Sequence, residues 1–392
     1  MIRKIFIRGF AIAVLACTML VLAVVASWAW RGGPEGAFAA AARTLRHPTP
    51  TVYDVRHQPS RPLAASATPL RFGSSRPDVA PPPMVEGGEG RRMPLQQLIA
   101  TTGTLAFVVI HDDSIVYERY ATEHGGAGTS HYQEISEAIL AVLVGMAVDD
   151  GVLRALDDPV TAYVPELASR GFSQLTLRQL LDMNADLDDA DGDSPFGLHL
   201  LMNNTTQLEA LVLKFGLREG HGGRFEHRSG ESALLSLALQ RALAPESLTA
   251  YAQRRLWSPL GMEQPGLWSL DRDGGMEKAW CCIAGTARDL AKIGRLQLQR
   301  GLAGGRRVLS QAWVNASAPK PAASAAAGRT YHFGWWPASP SGVDAMAVGR
   351  DGQFLYIDPA HNTVVVRLGK RLGPLSQAQW SAVFGTLSAH AW

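Results

Sequence analysis

The sequence predicts an α/β (α+β) domain: one antiparallel sheet drawn from both ends of a long segment, flanked by helices and interrupted by a helical insert. Three observations carry this. Apolar, β-branched runs stand early, in "TLAFVVIHDDSIVYERY" (104–120), and return late, in "YHFGWWP", "GQFLYID" and "NTVVVRLG" (331–369). Between them "HYQEISEAILAVLVGMAVDDG" (131–151) reads as a helix apolar nearly all round and closed by Gly151. A largely helical middle follows, from about 152 to 300. Strands at both ends with helices between them pair most simply into one sheet with helices packed against it.

Each element follows from local signals. Residues 9–30, "GFAIAVLACTMLVLAVVASWAW", are uncharged and match the ~20 residues that cross a bilayer. Arg3, Lys4 and Arg8 precede that run. Residues 1–30 therefore predict an uncleaved anchor in the cytoplasmic membrane, N-terminus inside and the rest in the periplasm or otherwise outside. The rival is a cleaved signal segment with "AFA" (37–39) as its cut site. Residues 31–94, rich in Pro, Gly and Ala, read as an extended tether. The folded domain is expected over 95–392. In it, 104–120 is a hairpin about Asp112 and Asp113. Ser130 and Gln133 read as a capping box for the helix after them, and Thr286 and Asp289 as another for "TARDLAKIGRLQLQRG", which stops at Gly301. "LSQAQWSAVFGTLSAHAW" closes the chain as an amphipathic helix.

Composition narrows the function classes. At 392 residues and 46% hydrophobic content the chain fills a sizeable core. A net charge of +2 with no long basic run gives no electrostatic footprint for nucleic acid. Cys17, Cys281 and Cys282 cannot make a disulfide framework, and the adjacent pair reads as two buried thiols. The acidic loop "DLDDADGD" (186–193) fails calcium-loop spacing, with Leu198 where a bidentate Glu is needed, so no metal or cofactor is expected. Trp335 and Trp336 alternate along a strand, so at most one of them lines a cleft.

Six stretches in order resemble the serine hydrolase superfamily of class C β-lactamases and penicillin-binding proteins, nearest its 6-aminohexanoate-dimer-hydrolase-like branch. They are "IVYERY" (115–120), "GMAVDDGVLRALDDPVTAYVPEL" (145–167), "LTLRQLLDM" (175–183), "LWSPLGM" (256–262), "GGMEKAWCCIAGTARDLAKIGRLQLQRG" (274–301) and "GQFLYIDPAHNTVVVRLG" (352–369). The resemblance implies a β-lactamase/transpeptidase-like fold from about residue 100 to the end. It also implies three boxes around one cleft. A Ser-x-x-Lys turn opens the central helix, so that the amine lies on the nucleophile's helical face; a Tyr-containing element shuttles protons; and a Lys/His-x-Gly strand forms the far wall.

All three boxes are altered here. Counting back from "LVGMAVDDG" puts Glu134 at the serine position and Glu137 at the lysine position. "RFEHRSG" (224–230) puts His227 at the tyrosine and Ser229 at the third position of its box. "AVGRDGQ" (347–353) puts Arg350 at the cationic position, with Gln353 close behind. A carboxylate attacking an acyl group would form an anhydride, and no lysine remains to take a proton. Ser317 and Lys320 match Ser-x-x-Lys, but the proline between them forbids the helical turn. Ser136 has no base at its third position.

The resemblance thus implies a catalytically silent, membrane-tethered module. Its cleft, lined by Glu134, Glu137, His227, Arg228, Arg350 and Gln353, would hold a small amide, peptide or cell-wall-like ligand. Arg228, Arg350 and His227 are expected to neutralise the two acids in an ionic cluster. Two other readings stand beside it: a working amide or ester hydrolase that uses Glu134, Glu137 and His227 for acid–base chemistry, and a purely structural envelope protein.

Overall fold

The computed structural model describes residues 2–47, 50–74, 82–188, 197–218, 220, 223, 225–319 and 331–392. Its main sheet has seven strands in the spatial order Trp336–Pro337, Ala345–Gly349, Gln353–Asp358, Thr363–Gly369, Thr104–His111, Ser114–Tyr120 and Gly73–Ser74. Every pairing is antiparallel except the last. The two ends of the domain therefore meet at the Thr363–Gly369 and Thr104–His111 pair, as expected. The early hairpin turns through Asp112 and Asp113, both in the left-handed region (φ 46° and 60°), which matches the right-handed twist of the strands it joins.

Strand alternation sends successive side chains to opposite faces. Ala106, Val108 and Ile110, with Leu355, Ile357, Val364 and Val366, enter a large core shared with the central helix (Ile135–Asp149). Phe107, Val109, Phe354, Tyr356 and Val365 form a second core beneath the closing helix (Gln377–Ser388) with Trp380, Val383 and Phe384. That helix opens on a complete capping box of Ser376 and Gln379. The helix Ala287–Leu298 starts at Thr286, whose hydroxyl accepts from Asp289 N, and Gly301 turns the chain at φ 85°.

Three expectations need correction and a fourth needs extending. Ser130 does not cap the central helix: Ser130–His131 is a strand paired with Ile283–Gly285, Gln133 takes φ 52°, and Glu134 is the N-cap residue. Strand pairing satisfies the Ser130 backbone before the helix begins. The middle of the chain, expected to be largely helical, also supplies two strands: Gly266–Ser269 and Ile283–Gly285 join Ser60–Leu63 and Ser130–His131 in a four-stranded antiparallel sheet. Residues 31–94 are not simply extended. Pro34–Arg46 is a helix with Ala37 and Ala40 fully buried, and Ser60–Leu63 pairs with Gly266–Ser269. An Ala-rich stretch can pack closely where a larger one could not: a Cβ on Gly36 would stand 2.8 Å from Thr205 Oγ1. Finally, Cys281 and Cys282 are joined as a vicinal disulfide rather than standing as two thiols.

The N-terminal helix spans Ile2–Gly32, and its stretch Val14–Arg31 is long and apolar enough to cross a membrane. Lys320, and the acidic loop from residue 189 to 193, lie outside the described residues.

Candidate functional site

The central helix is apolar because it lies inside the large core, and its first turn carries Glu137 against the helix Ser229–Leu243. Ser136, at 0% exposure, faces inward, where its hydroxyl accepts from Ile283 N at 3.2 Å. Glu134 precedes the helix and is half-buried. Its Oε2 accepts the backbone N–H of Arg350 at 2.6 Å. Glu137, one turn on, is 4% exposed. It accepts from Ser232 Oγ at 3.1 Å, lies 2.8 Å from His227 Nε2, and receives the Tyr331 hydroxyl at 3.5 Å. Ser232 belongs to the helix Ser229–Leu243, which packs alongside the central helix, and His227 lies just before it.

The electrostatics follow from burial. Loss of water pushes the Glu137 carboxyl up from its ordinary value, and nearby Glu134 adds to that, against the pull of His227 and the Ser232 hydrogen bond. Burial, reinforced by Glu137, holds the Tyr331 phenol well above its usual range, so it remains a hydrogen-bond donor. Glu231, one residue before Ser232, is fully buried and pushed well up by desolvation. Its Oε2 accepts from Ala185 N, while Oε1 has no hydrogen-bond partner among the described residues.

An aromatic wall stands over this floor. The ring of His227 lies 5.7 Å from Tyr331 and 6.2 Å from Trp336, and Phe225 lies 5.7 Å from both of those. Trp335 is buried at 2% exposure, so Trp336 alone of the pair faces this wall, as strand alternation requires.

The expected residues are thus partly assembled. Glu134, Glu137, His227 and Arg350 converge, and Arg350 reaches Glu134 through its backbone N–H. Arg228, buried at 1% exposure, pairs with Glu226, whose Oε1 lies 2.6 Å from its Nη2. Of the expected ionic cluster, the contact between Glu137 and His227 is present, at 2.8 Å. Ser229 Oγ lies 3.3 Å from His199 Nδ1, both of them buried. Gln353 cannot meet a ligand with its amide, which is fully buried and bonded to the carbonyls of Arg350 and Gly369 and to Gly369 N. It holds the Arg350 turn in place. Sequence reading missed Ser232 and Tyr331; each lies about 95 or more positions from Glu137, beyond any local pattern.

Chemically, this arrangement can hold and pass a proton between Glu137 and His227, and it can attract a cation to a carboxylate floor under aromatic rings. No group of three or more His, Cys, Asp or Glu suited to a metal occurs among the described residues.

The sequence profile of the Beta-lactamase family matches residues 95–385. The 6-aminohexanoate-dimer hydrolase of Paenarthrobacter ureafaciens is 28% identical over 302 residues, 71% of this chain and 75% of that protein. Among solved structures, a protein provisionally named a 6-aminohexanoate-dimer hydrolase, from Bacillus anthracis, superposes with a TM-score of 0.77 at 21% identity, covering 87% of this chain and 93% of its own. A class C β-lactamase from Rhodobacter sphaeroides superposes with a TM-score of 0.56 at 17% identity, over 75% and 97% of the two chains. These structural likenesses concern the fold.

Proposed function

We propose that this chain, which belongs to the beta-lactamase family, is a catalytically silent, membrane-anchored member whose cleft binds a small amide, peptide or cell-wall-like ligand. The observation that carries the reading is the state of the two first-turn acids. Acyl transfer needs an activated nucleophile and backbone donors free to stabilise the oxyanion. Glu137 is tied to His227 and Ser232, and Glu134 occupies the Arg350 N–H. Neither acid replaces a serine or a lysine. Glu137, buried beneath the aromatic rings, supports a ligand that brings a cationic group. The Paenarthrobacter relative is named for an amide dimer of 6-aminohexanoate; an amide with an ammonium end suits such a floor.

Anchoring is part of the proposal. Cleavage after the "AFA" site (37–39) would remove Trp28 and Ala37, both of which the core encloses, so an uncleaved helix fits the packing better. Arg3, Lys4 and Arg8 before the span support an inside N-terminus.

A second reading has its own support. The Glu137–His227 pair, with the His227 side chain 32% exposed and the Glu137 side chain 3%, could relay a proton to water for amide or ester hydrolysis. One experiment separates the two. The full chain in mild detergent is incubated with a chromogenic β-lactam, p-nitrophenyl esters and a fluorescent penicillin. Saturable binding without turnover supports the silent module. Turnover abolished by Glu137→Gln supports the second reading, and acylation abolished by replacing a serine overturns both.

A further inference from the structure

The N-terminal helix does not leave the membrane through a loose linker. Its outer part exposes apolar side chains, with Phe10 at 73%, whereas Trp28 near its end is buried at 2%. Apolar exposure and domain packing thus meet on one continuous helix, with Leu22 62% exposed less than two turns before Trp28; in the anchored reading this sets the domain against the headgroup layer. At that level lies a cleft of about 500 Å³. It is lined by Trp30 and Arg31 from the helix, by Arg170, and by Asp188, Lys214 and Phe215 from the domain.

The lining has a definite chemistry. Three cationic residues, Arg31, Arg170 and Lys214, and one acidic residue, Asp188, line it. Arg170 donates Nε to the Phe215 carbonyl and Nη2 to the Lys214 carbonyl, which fixes the backbone that presents Lys214. Lys214 is exposed, and Trp30 is 87% exposed at the last turn of the span. An exposed tryptophan suits the boundary between acyl chains and headgroups. Cations clustered at that depth attract anionic headgroups, with each Lys or Arg adding to the attraction.

We infer that this cleft is a binding site for the phosphate headgroup of an anionic phospholipid. The inference rests on the anchored reading above. It gives the anchor a second function: the bound lipid would fix the rotation of the domain on the membrane.

The test uses the full chain purified in mild detergent, supplied with equal amounts of phosphatidylglycerol and phosphatidylcholine, with retained lipid read by native mass spectrometry. The expected result is about fivefold preference for phosphatidylglycerol, the order one interfacial cation contributes. Lys214→Glu should abolish that preference, whereas the charge-matched control Lys370→Glu, at an ion pair with Glu123 on another surface, should keep it. Equal retention of the two lipids, or a preference that survives Lys214→Glu while the thermal midpoint is unchanged, overturns the site. Loss of the lipid preference on adding inorganic phosphate at the lipid concentration identifies a free-phosphate site and also overturns it. An intact mass from native membranes that begins near residue 40 is a different failure: it removes the anchor itself, and the lipid site with it.

Discussion

Glu137 is the residue on which most of the site's behaviour turns. Its carboxyl is raised above 4.5 by burial, so between 4.5 and the raised value the folded chain holds more protons than the unfolded one. The stability this gives is complete below pH 4.5 and is lost as pH climbs through the folded value. Glu137→Gln is neutral at every pH and keeps an oxygen for the Ser232 hydroxyl. Its stability relative to the native chain should therefore rise by ~1 kcal/mol from pH 4 to pH 8, measured by urea unfolding across that range. A fall instead would mean that a charged His227 compensates the carboxylate completely. Glu231, pushed up by the same cause, leaves some of the native slope in place. Lys278 acts in the opposite sense. Burial lowers its amine from 10.5 to about 7, while its Nζ donates to the Asn203 carbonyl and Gln58. Between those values the unfolded chain binds the extra proton, so this contribution grows with pH. Lys278→Met should flatten the rise in thermal midpoint between pH 7 and 9, and an unchanged profile would show that the amine stays charged.

At the scale of elements, the central helix illustrates why tertiary packing outweighs propensity. Gly145 sits in its interior, where alanine would ordinarily gain about 1 kcal/mol. A Cβ there, however, would overlap the ring of Trp313, itself stacked on Phe333. Gly145→Ala is expected to lose about 1–3 kcal/mol through overpacking; a stabilised variant in urea melts would show that Trp313 can move aside. This helix, the Asp112–Asp113 hairpin and the closing helix were legible in the sequence, because apolar period and turn residues are local signals, whereas the cap of the central helix was misread. The four-stranded sheet was not. Its strands are two to four residues long and come from positions 60, 130, 266 and 283 onward, so no local pattern announces them. The site divides along the same line. Glu134, Glu137 and His227 could be aligned with family boxes, but Ser232 and Tyr331 reach Glu137 only through the fold. One bond to Glu134 comes from the backbone N–H of Arg350, which residue identity does not reveal.

For the whole molecule, the question is where the folding unit begins. The Beta-lactamase profile starts at residue 95, yet the segment before it supplies Trp28, Ala37, Ala40, Val52 and Leu63 to the main core. It also supplies the edge strand Ser60–Leu63, which covers Gly266–Ser269. Arg43 Nη1 donates to the carbonyls of Asn204, Thr205 and Asp271, and Arg61 pairs with the buried Glu277 at 2.6 Å. Removing the segment would leave Glu277 without that counter-charge and open a strand edge to other chains. Full burial of a large apolar side chain contributes ~1.5–3 kcal/mol, so Trp28, Val52 and Leu63 together are worth a large fraction of a domain's net stability. A chain beginning at residue 95 should accordingly unfold at a markedly lower urea concentration than one beginning at Val24, and should self-associate through the bared strand, as read by analytical ultracentrifugation. Matching midpoints and a monomeric short chain would mean that residues 31–94 act as a tether after all, and that their packing adds nothing to the fold.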